Sequence, residues 1–367
     1  MKKILIVTPF VPNNIGAGVN YTRLFIEDLS KENEVDIVLF RSKVEKQYEL
    51  PNNHVKVIKE FRICTFYKLL NCAFCFFLFP LFTAKFSIRV LMFLRKNIRK
   101  TKYDVVYFDF SQMFLYGKLL KHHEKIFMAH DIITQRYSRK SNVWVSKFCF
   151  MTENWILHTK SVKIFTFSQK DSLLLRSYFN LSSYPTSFYL SNNVIETLPN
   201  QLNDYFVFFA MWKRGDNYRG LEWFLKNVLP LLPVDIKLKI IGLGLSKNLI
   251  NLIGQNASIE YLGFVDNPYP IIANAKALIS PLFTGAGVKV KVIEALTCGT
   301  PVIGTDISFE GIDEEFSSFM LLANTPEEFA YKIKTLDITL ENRLNFKKKF
   351  ISNYSNKSII RYINSKR

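Results

Sequence analysis

The 367-residue chain is long enough for two domains that each bury a core. With 49% hydrophobic and 22% charged residues, it is not a largely disordered protein. A formal net charge of +18 calls for an anionic partner: nucleic acid, a phosphate-bearing substrate or an acidic membrane surface.

Residues 4–10 form an unbroken apolar run, read as a strand that starts too soon after Met1 to leave room for a secretory signal. A loop bearing Gly16 and Gly18 follows, then an amphipathic stretch over 19–29, so strand, loop and helix open a βαβ unit. The loop lacks full G-x-G-x-x-G spacing; its glycines bind phosphate, leave room for a substrate or permit a tight turn. Strands follow over 35–40 and 55–58. The nearly continuous apolar run 69–84 holds Asn71 and Pro80 and, at 16 residues, falls short of the ~20 that a spanning helix needs. Arg89, Arg95, Lys96, Arg99, Lys100 and Lys102 come next. Apolar surface beside cations predicts an interfacial membrane helix; the alternative is a buried hairpin with a solvated basic end. Five cysteines form no regular framework, in keeping with a reducing cytoplasm. Cys72 and Cys75 have redox or metal spacing, but within an aromatic run they are expected to pack.

Strands resume over 104–108 and 126–129, and His130-Asp131 fall where the second ends. Ligand-contacting groups of doubly wound sheets lie beyond the carboxyl ends of strands, which favours a functional His130 over a structural one. A strand over 164–168 and the segment 192–194 close the first half. The second half restarts the alternation: strand 206–211, loop 213–217, a helix over 221–229 stopped by Pro230, and strands 237–241, 259–262 and 277–281. Then come a loop with Gly285 and Gly287, an apolar helix through Val292, Ile293, Ala295 and Leu296, and a strand from Thr300. Glycines before a helix let backbone N–H groups approach an anion at the positive end of the helix dipole. Lys289 and Lys291 add full charges, and Glu294 suits sugar or ribose hydroxyls better than phosphate. This reads as a nucleotide diphosphate cradle; the competing account is an ordinary glycine turn with a solvated first helical turn. Two βαβ series imply an α/β protein of two facing Rossmann-like domains, 1–195 and 196–345, with the active site in the cleft between them and 346–367 as a basic C-terminal helix packing back on the first.

The second half resembles family 4 of the glycosyltransferases, which have the GT-B fold. The likeness covers residues 206–312 through FVFFAMW, Asn217, GLEWFL, IIGLG, YLGFVDN and GAGVKVKVIEALTCGTPVIGT. The first half is similar more weakly, through its first strand and glycine loop, the His130-Asp131 strand end, FTFS and SNNV. The resemblance implies retaining transfer of a sugar from a nucleotide donor held by the second domain to an acceptor held mainly by the first. It makes Glu294 the carboxylate that accepts from the donor ribose. Gly285, Gly287 and the amides from Val288 onward become the diphosphate cradle with Lys291, Phe264 and Val265 line the base, and Gly16 and Gly18 belong to the ligand-contacting loop of the first domain. The family's first glutamate is replaced by Ala286 and its usual arginine by Met211, leaving Lys213, Arg214 or Arg219 as stand-ins.

Glycosyl transfer needs the leaving diphosphate stabilised, by a metal or by fixed cations and dipoles. Asp-x-Asp, a usual metal-binding spacing, is absent from the sequence, so the cradle with Lys289 and Lys291 is expected to serve without metal, and no cofactor beyond the nucleotide-sugar is expected. His130 is the candidate for contact with the sugar or acceptor. Expected partners are a nucleotide-sugar, a saccharide or lipid-linked acceptor in surface polysaccharide synthesis, and the anionic inner face of the membrane. Nucleic-acid binding is disfavoured, because the cations are dispersed and no binding motif accompanies them. A nucleotide-sugar epimerase or an inactive partner subunit on the same fold is the alternative.

Overall fold

The computed structural model describes residues 1–14, 16–42, 45–139, 141–254, 256–354 and 357–365. It divides the chain into two compact units, Met1–Tyr189 with the segment from 356 onward, and Leu190–Ser355.

The first unit is built on a parallel sheet of β1 (Lys3–Thr8), β2 (Glu34–Phe40), β3 (Val55–Phe61), β4 (Val105–Asp109), β5 (Lys125–Ala129), β6 (Val162–Thr166) and β7 (Tyr184–Pro185). Their order is β3-β2-β1-β4-β5-β6-β7. Helices cover such a sheet on both faces, which is why β1, β4 and β5 read as continuous apolar runs. Ile4, Leu5, Ile6 and Val7 are wholly buried. The order reverses between β1 and β4, so the chain leaves these neighbours towards opposite edges and their carboxyl ends flank an open crevice.

The second unit repeats the scheme with β8 (Phe206–Phe209), β9 (Leu238–Ile241), β10 (Ile259–Gly263), β11 (Leu278–Ser280), β12 (Val302–Gly304) and β13 (Met320–Leu322). The order β10-β9-β8-β11-β12-β13 puts its switch point between β8 and β11. The helix Leu340–Tyr354 is fastened to this unit by buried Arg343, which donates to the carbonyls of Ala273 (2.8 Å), Ala275 (2.6 Å) and Lys276 (3.0 Å).

Several elements differ from the sequence reading. The helix expected over 221–229 begins at Gly215, where an acidic residue, Asp216, in the first turn suits the helix dipole. Pro230 does not cut it off; a π turn (Phe224–Val228) and a 3-10 turn (Leu229–Leu231) carry the chain past it. Residues 192–194 form a short helix, Asn192–Glu196, in the second unit. The tail 346–367 is not one helix: Leu340–Tyr354 lies in the second unit and Ser358–Ser365 in the first. There Ser358 Oγ donates to the Pro185 carbonyl (2.8 Å) and Tyr362 OH to Glu124 (2.5 Å).

The run 69–84 is likewise broken, into the helix Thr65–Phe74 and a turn Pro80–Thr83 that starts at its proline. No residue of Thr65–Phe74 is buried, which removes the buried-hairpin reading for that helix, although Phe79 and Phe82 beyond it are core. Cys72 and Cys75 are free thiols at half-exposed positions, outside the core. No helix among the described residues is long and apolar enough to cross a membrane.

Candidate functional site

In the first unit the crevice at the switch point is lined from three strand ends. Asp109 ends β4, Thr8 ends β1 and His130 follows β5. The Asp109 carboxylate is wholly buried and fully engaged. One oxygen faces His130 Nε2 at 2.8 Å; the other accepts from Thr22 Oγ1 (2.6 Å) and Thr8 Oγ1 (3.2 Å). An acceptor at Nε2 requires the proton there, which leaves Nδ1 of neutral His130 as an acceptor. The ring is clamped face to face on Phe110 (3.6 Å between centroids, 12°) and edge-on by Tyr21 and Phe167. Phe110 holds φ at +58°, a left-handed conformation that costs a non-glycine residue about 1–3 kcal/mol.

Gly18 lies beneath this stack. A Cβ there would come within 2.9 Å of the Phe110 ring and 3.2 Å of His130 Nδ1. Of the three readings left open for the glycine loop, the geometry at Gly18 is that of making room, in this case for the stacked rings. Gly16 starts the helix Ala17–Leu29 with φ +102°.

In the second unit, the loop after β11 turns at Gly285 (φ +138°) and Gly287 (φ +68°), and the helix Val290–Thr297 begins directly after Lys289. The helix Gly215–Trp223 packs against this loop because Gly220 lacks a side chain: a Cβ would lie 2.1 Å from the Pro281 carbonyl oxygen. Asp216 joins the two, accepting from Thr284 Oγ1 (2.9 Å) and pairing with Arg219 (3.4 Å) and Arg214 (3.9 Å). Lys291 donates to Asn217 Oδ1 at 3.1 Å, and burial, with Arg214 and Lys289 adding to it, pushes its amine down to about 7. Lys289 takes another direction, towards the Ala286 and Gly287 carbonyls and 3.6 Å from Glu310.

Glu294, one turn into the helix, accepts a hydrogen bond from Tyr269 OH at 3.0 Å. Burial raises its carboxyl to about 7 even though part of the side chain remains accessible. The other predicted residues stand at neighbouring strand ends. Lys213 follows β8 and runs alongside Gly244, where a Cβ would be 2.4 Å from its Cγ. Phe264 follows β10 and is 66% exposed, while Val265 and Val288 are half-buried against the edge of the core.

The carboxyl edge of the second sheet thus gathers Lys213, Arg219, Phe264, the glycine loop, Lys291 and Glu294. It offers N–H groups and cations to an anion, a carboxylate to hydroxyls and an exposed ring to an apolar face. Sequence reasoning missed Asp109, Phe110, Asp216, Thr284, Tyr269 and Glu310. Asp109 carries the one available signal, since it directly follows the strand pattern at 104–108, as His130 follows 126–129. Among the described residues no group of three or more His, Cys, Asp and Glu is placed to hold a metal ion.

Residues 203–337 match the family model described as Glycosyl transferases group 1. The whole chain is similar to an uncharacterised glycosyltransferase of Methanocaldococcus jannaschii, with 25% identity over 97% of this chain and 94% of that one. Among solved structures it resembles HepE of Anabaena in complex with UDP (TM-score 0.69, 13% identity, 99% and 97% of the two chains). It also resembles WaaG, a glycosyltransferase involved in lipopolysaccharide biosynthesis (TM-score 0.67, 10% identity, 99% and 100%). Two doubly wound parallel units define the class of protein as GT-B. Within it, the similarity to the group 1 glycosyltransferase model falls on residues 203–337, in the second unit, where the motifs of the resemblance also lie. The narrower assignment to family 4 rests on those motifs alone.

Proposed function

We propose that the chain is a retaining, metal-independent hexosyltransferase that moves a sugar from a nucleotide-sugar to a saccharide or lipid-linked saccharide acceptor in surface polysaccharide synthesis. The observation that carries this reading is the single edge in the second unit where the Gly285–Gly287 loop, Lys291 and Glu294 meet, with Asn217 and Tyr269 holding the last two in place. Such an edge binds a diphosphate through amides and cations and a ribose through a carboxylate. The leaving diphosphate is stabilised there by fixed charges and dipoles, which need no reorganisation as the anomeric bond breaks. HepE, which is similar in fold, was solved with UDP. In the first unit, His130 Nδ1 is set to accept a hydroxyl of the sugar or acceptor, with Asp109 holding its tautomer.

Docking on the cytoplasmic face of the membrane belongs to the same reading. Phe66, Phe74, Phe76 and Phe77 are all more than 60% exposed, and Val143 and Trp144 add a second apolar projection in the same unit. Thr152 Oγ1, on the helix that starts at Val143, accepts from the Phe79 amide (2.9 Å), which ties the two projections together. WaaG's role in lipopolysaccharide biosynthesis agrees with an acceptor held at a lipid surface.

Ala286, standing where a carboxylate is expected, favours a second reading: a subunit that binds donor without turning it over. Release of nucleoside diphosphate decides between them. Transfer predicts release that depends on acceptor and survives EDTA; donor binding with no acceptor-dependent release would support the inactive subunit, and loss in EDTA restored by manganese would show a metal-dependent site.

A further inference from the structure

The first unit has a cavity of about 470 Å³ at the amino ends of β1, β2 and β3, beneath the helix Ile88–Lys100. Ligand-contacting loops of such sheets leave from the carboxyl ends, so this cavity lies at the opposite end of the strands from His130. Its lining is cationic: Lys3 from β1, Lys56 from β3, and Lys96 and Lys100 from the helix. Against four amines stands one carboxylate, Asp36, which already accepts from Tyr103 OH at 2.6 Å. Lys3 is 3.3 Å from Glu34, whereas Lys56, Lys96 and Lys100 have no carboxylate within ion-pair distance among the described residues. Phe93 and Ile58 give the cavity an apolar wall and Asn97 an amide beside the amines.

Lys56, Lys96 and Lys100 are exposed around this surface concavity, where a compact dianion can accept charge-assisted hydrogen bonds from several amines at once. We propose that this cavity binds the phosphomonoester group of a ligand, and that the ligand is held there without taking part in sugar transfer. A tetrahedral dianion has three oxygens to share among the unpaired amines and the Asn97 amide, and the apolar wall accommodates the carbon skeleton that bears it. The same helix carries exposed Ile88 and Met92, two turns and one turn before Lys96, so a phosphate headgroup projecting from a lipid surface is one source of the ligand. A soluble phosphate ester is the other. The proposal stands apart from the transfer reading, since it uses none of the residues at the carboxyl edges of the two sheets.

The test uses the full chain in two arms: calorimetric titration with glycerol 1-phosphate, and flotation with phosphatidylcholine vesicles containing either phosphatidic acid or phosphatidylserine. The cavity variant is Lys56→Gln/Lys100→Gln and the charge-matched control is Lys121→Gln/Lys160→Gln, two exposed positions of the same unit outside the cavity. With each cation contributing on the order of 1 kcal/mol, the cavity variant should bind about 30-fold more weakly while the control stays close to the parent. Single Lys56→Gln and Lys96→Gln variants, each expected to lose about fivefold, keep the test valid if the double variant does not fold. Cavity-dependent binding to phosphatidic acid vesicles alone assigns the lipid headgroup, and to glycerol phosphate alone a soluble ester. Equal losses in the cavity and control variants, the same cavity-dependent loss on both anionic lipids, or no cavity-dependent binding in either arm would overturn the proposal. Donor affinity, measured on the same proteins, should not change, which separates failure here from failure of the transferase reading.

Discussion

At the residue scale, two groups of the donor edge titrate near neutrality with opposite demands. Glu294 must be ionised to accept from ribose hydroxyls, and its carboxyl sits at about 7 because burial penalises the charged form. Lys291 must be protonated to hold a phosphate, and burial has brought its amine down to about 7. As pH falls below 7 the first requirement fails; as pH rises above it, the second does. Donor affinity is therefore predicted to peak near pH 7 and to fall roughly tenfold per unit well to either side, as measured by titration calorimetry across pH. Affinity unchanged between pH 6 and 8 would mean that neither group holds the donor. In the first unit, Asp109 acts through His130. Asp109→Asn offers the ring a neutral partner and weakens the preference for one tautomer. It is predicted to lower kcat roughly 10- to 100-fold with little change in donor KM, and to shift the pH profile of kcat; a KM effect alone would place Asp109 in structure only.

At the element scale, what the sequence made legible was the order of strands, loops and helices on the carboxyl edge of the second unit. Glycine turns, charged first turns and apolar helix faces are local signals, and Gly285, Gly287 and Glu294 could be read from them. Contacts between distant segments left no such trace. Asp216 and Thr284 meet because Gly220 lets a helix approach Pro281, and Tyr269 reaches Glu294 from a different crossover. The same limit affected the segment 69–84, where hydropathy showed an apolar run but not that Thr65–Phe74 buries none of it. That exposed face carries its own prediction. Burying a phenylalanine is worth about 1.5–3 kcal/mol, so Phe76→Ser/Phe77→Ser should reduce flotation with anionic vesicles by 10-fold or more without lowering Tm. Parent binding should also weaken with salt, because cations near the surface are screened over roughly 8 Å. Flotation unchanged in this variant would leave the face without a membrane role.

At the scale of the whole molecule, the GT-B class was legible because a chain that alternates strand and helix twice over has few ways to pack, and parallel sheets enforce the order. The division of the tail was not legible, because a basic, amphipathic sequence does not say which unit its helices will join. Lys347, for instance, donates to the Ile195 and Thr297 carbonyls within the second unit, while Lys357 pairs with Asp28 in the first. The central claim is that the carboxyl edge of the second unit holds a nucleotide-sugar through the glycine loop, Lys291 and Glu294. A thermal-shift screen of nucleotide-sugars, run on the parent and on Glu294→Ala, tests it most directly. One or more nucleotide-sugars at about 100 times Kd should stabilise the parent by about 2.7 kcal/mol, and Glu294→Ala should fold but lose most of that shift. No stabilisation by any nucleotide-sugar, or an equal shift in the variant, would contradict the account.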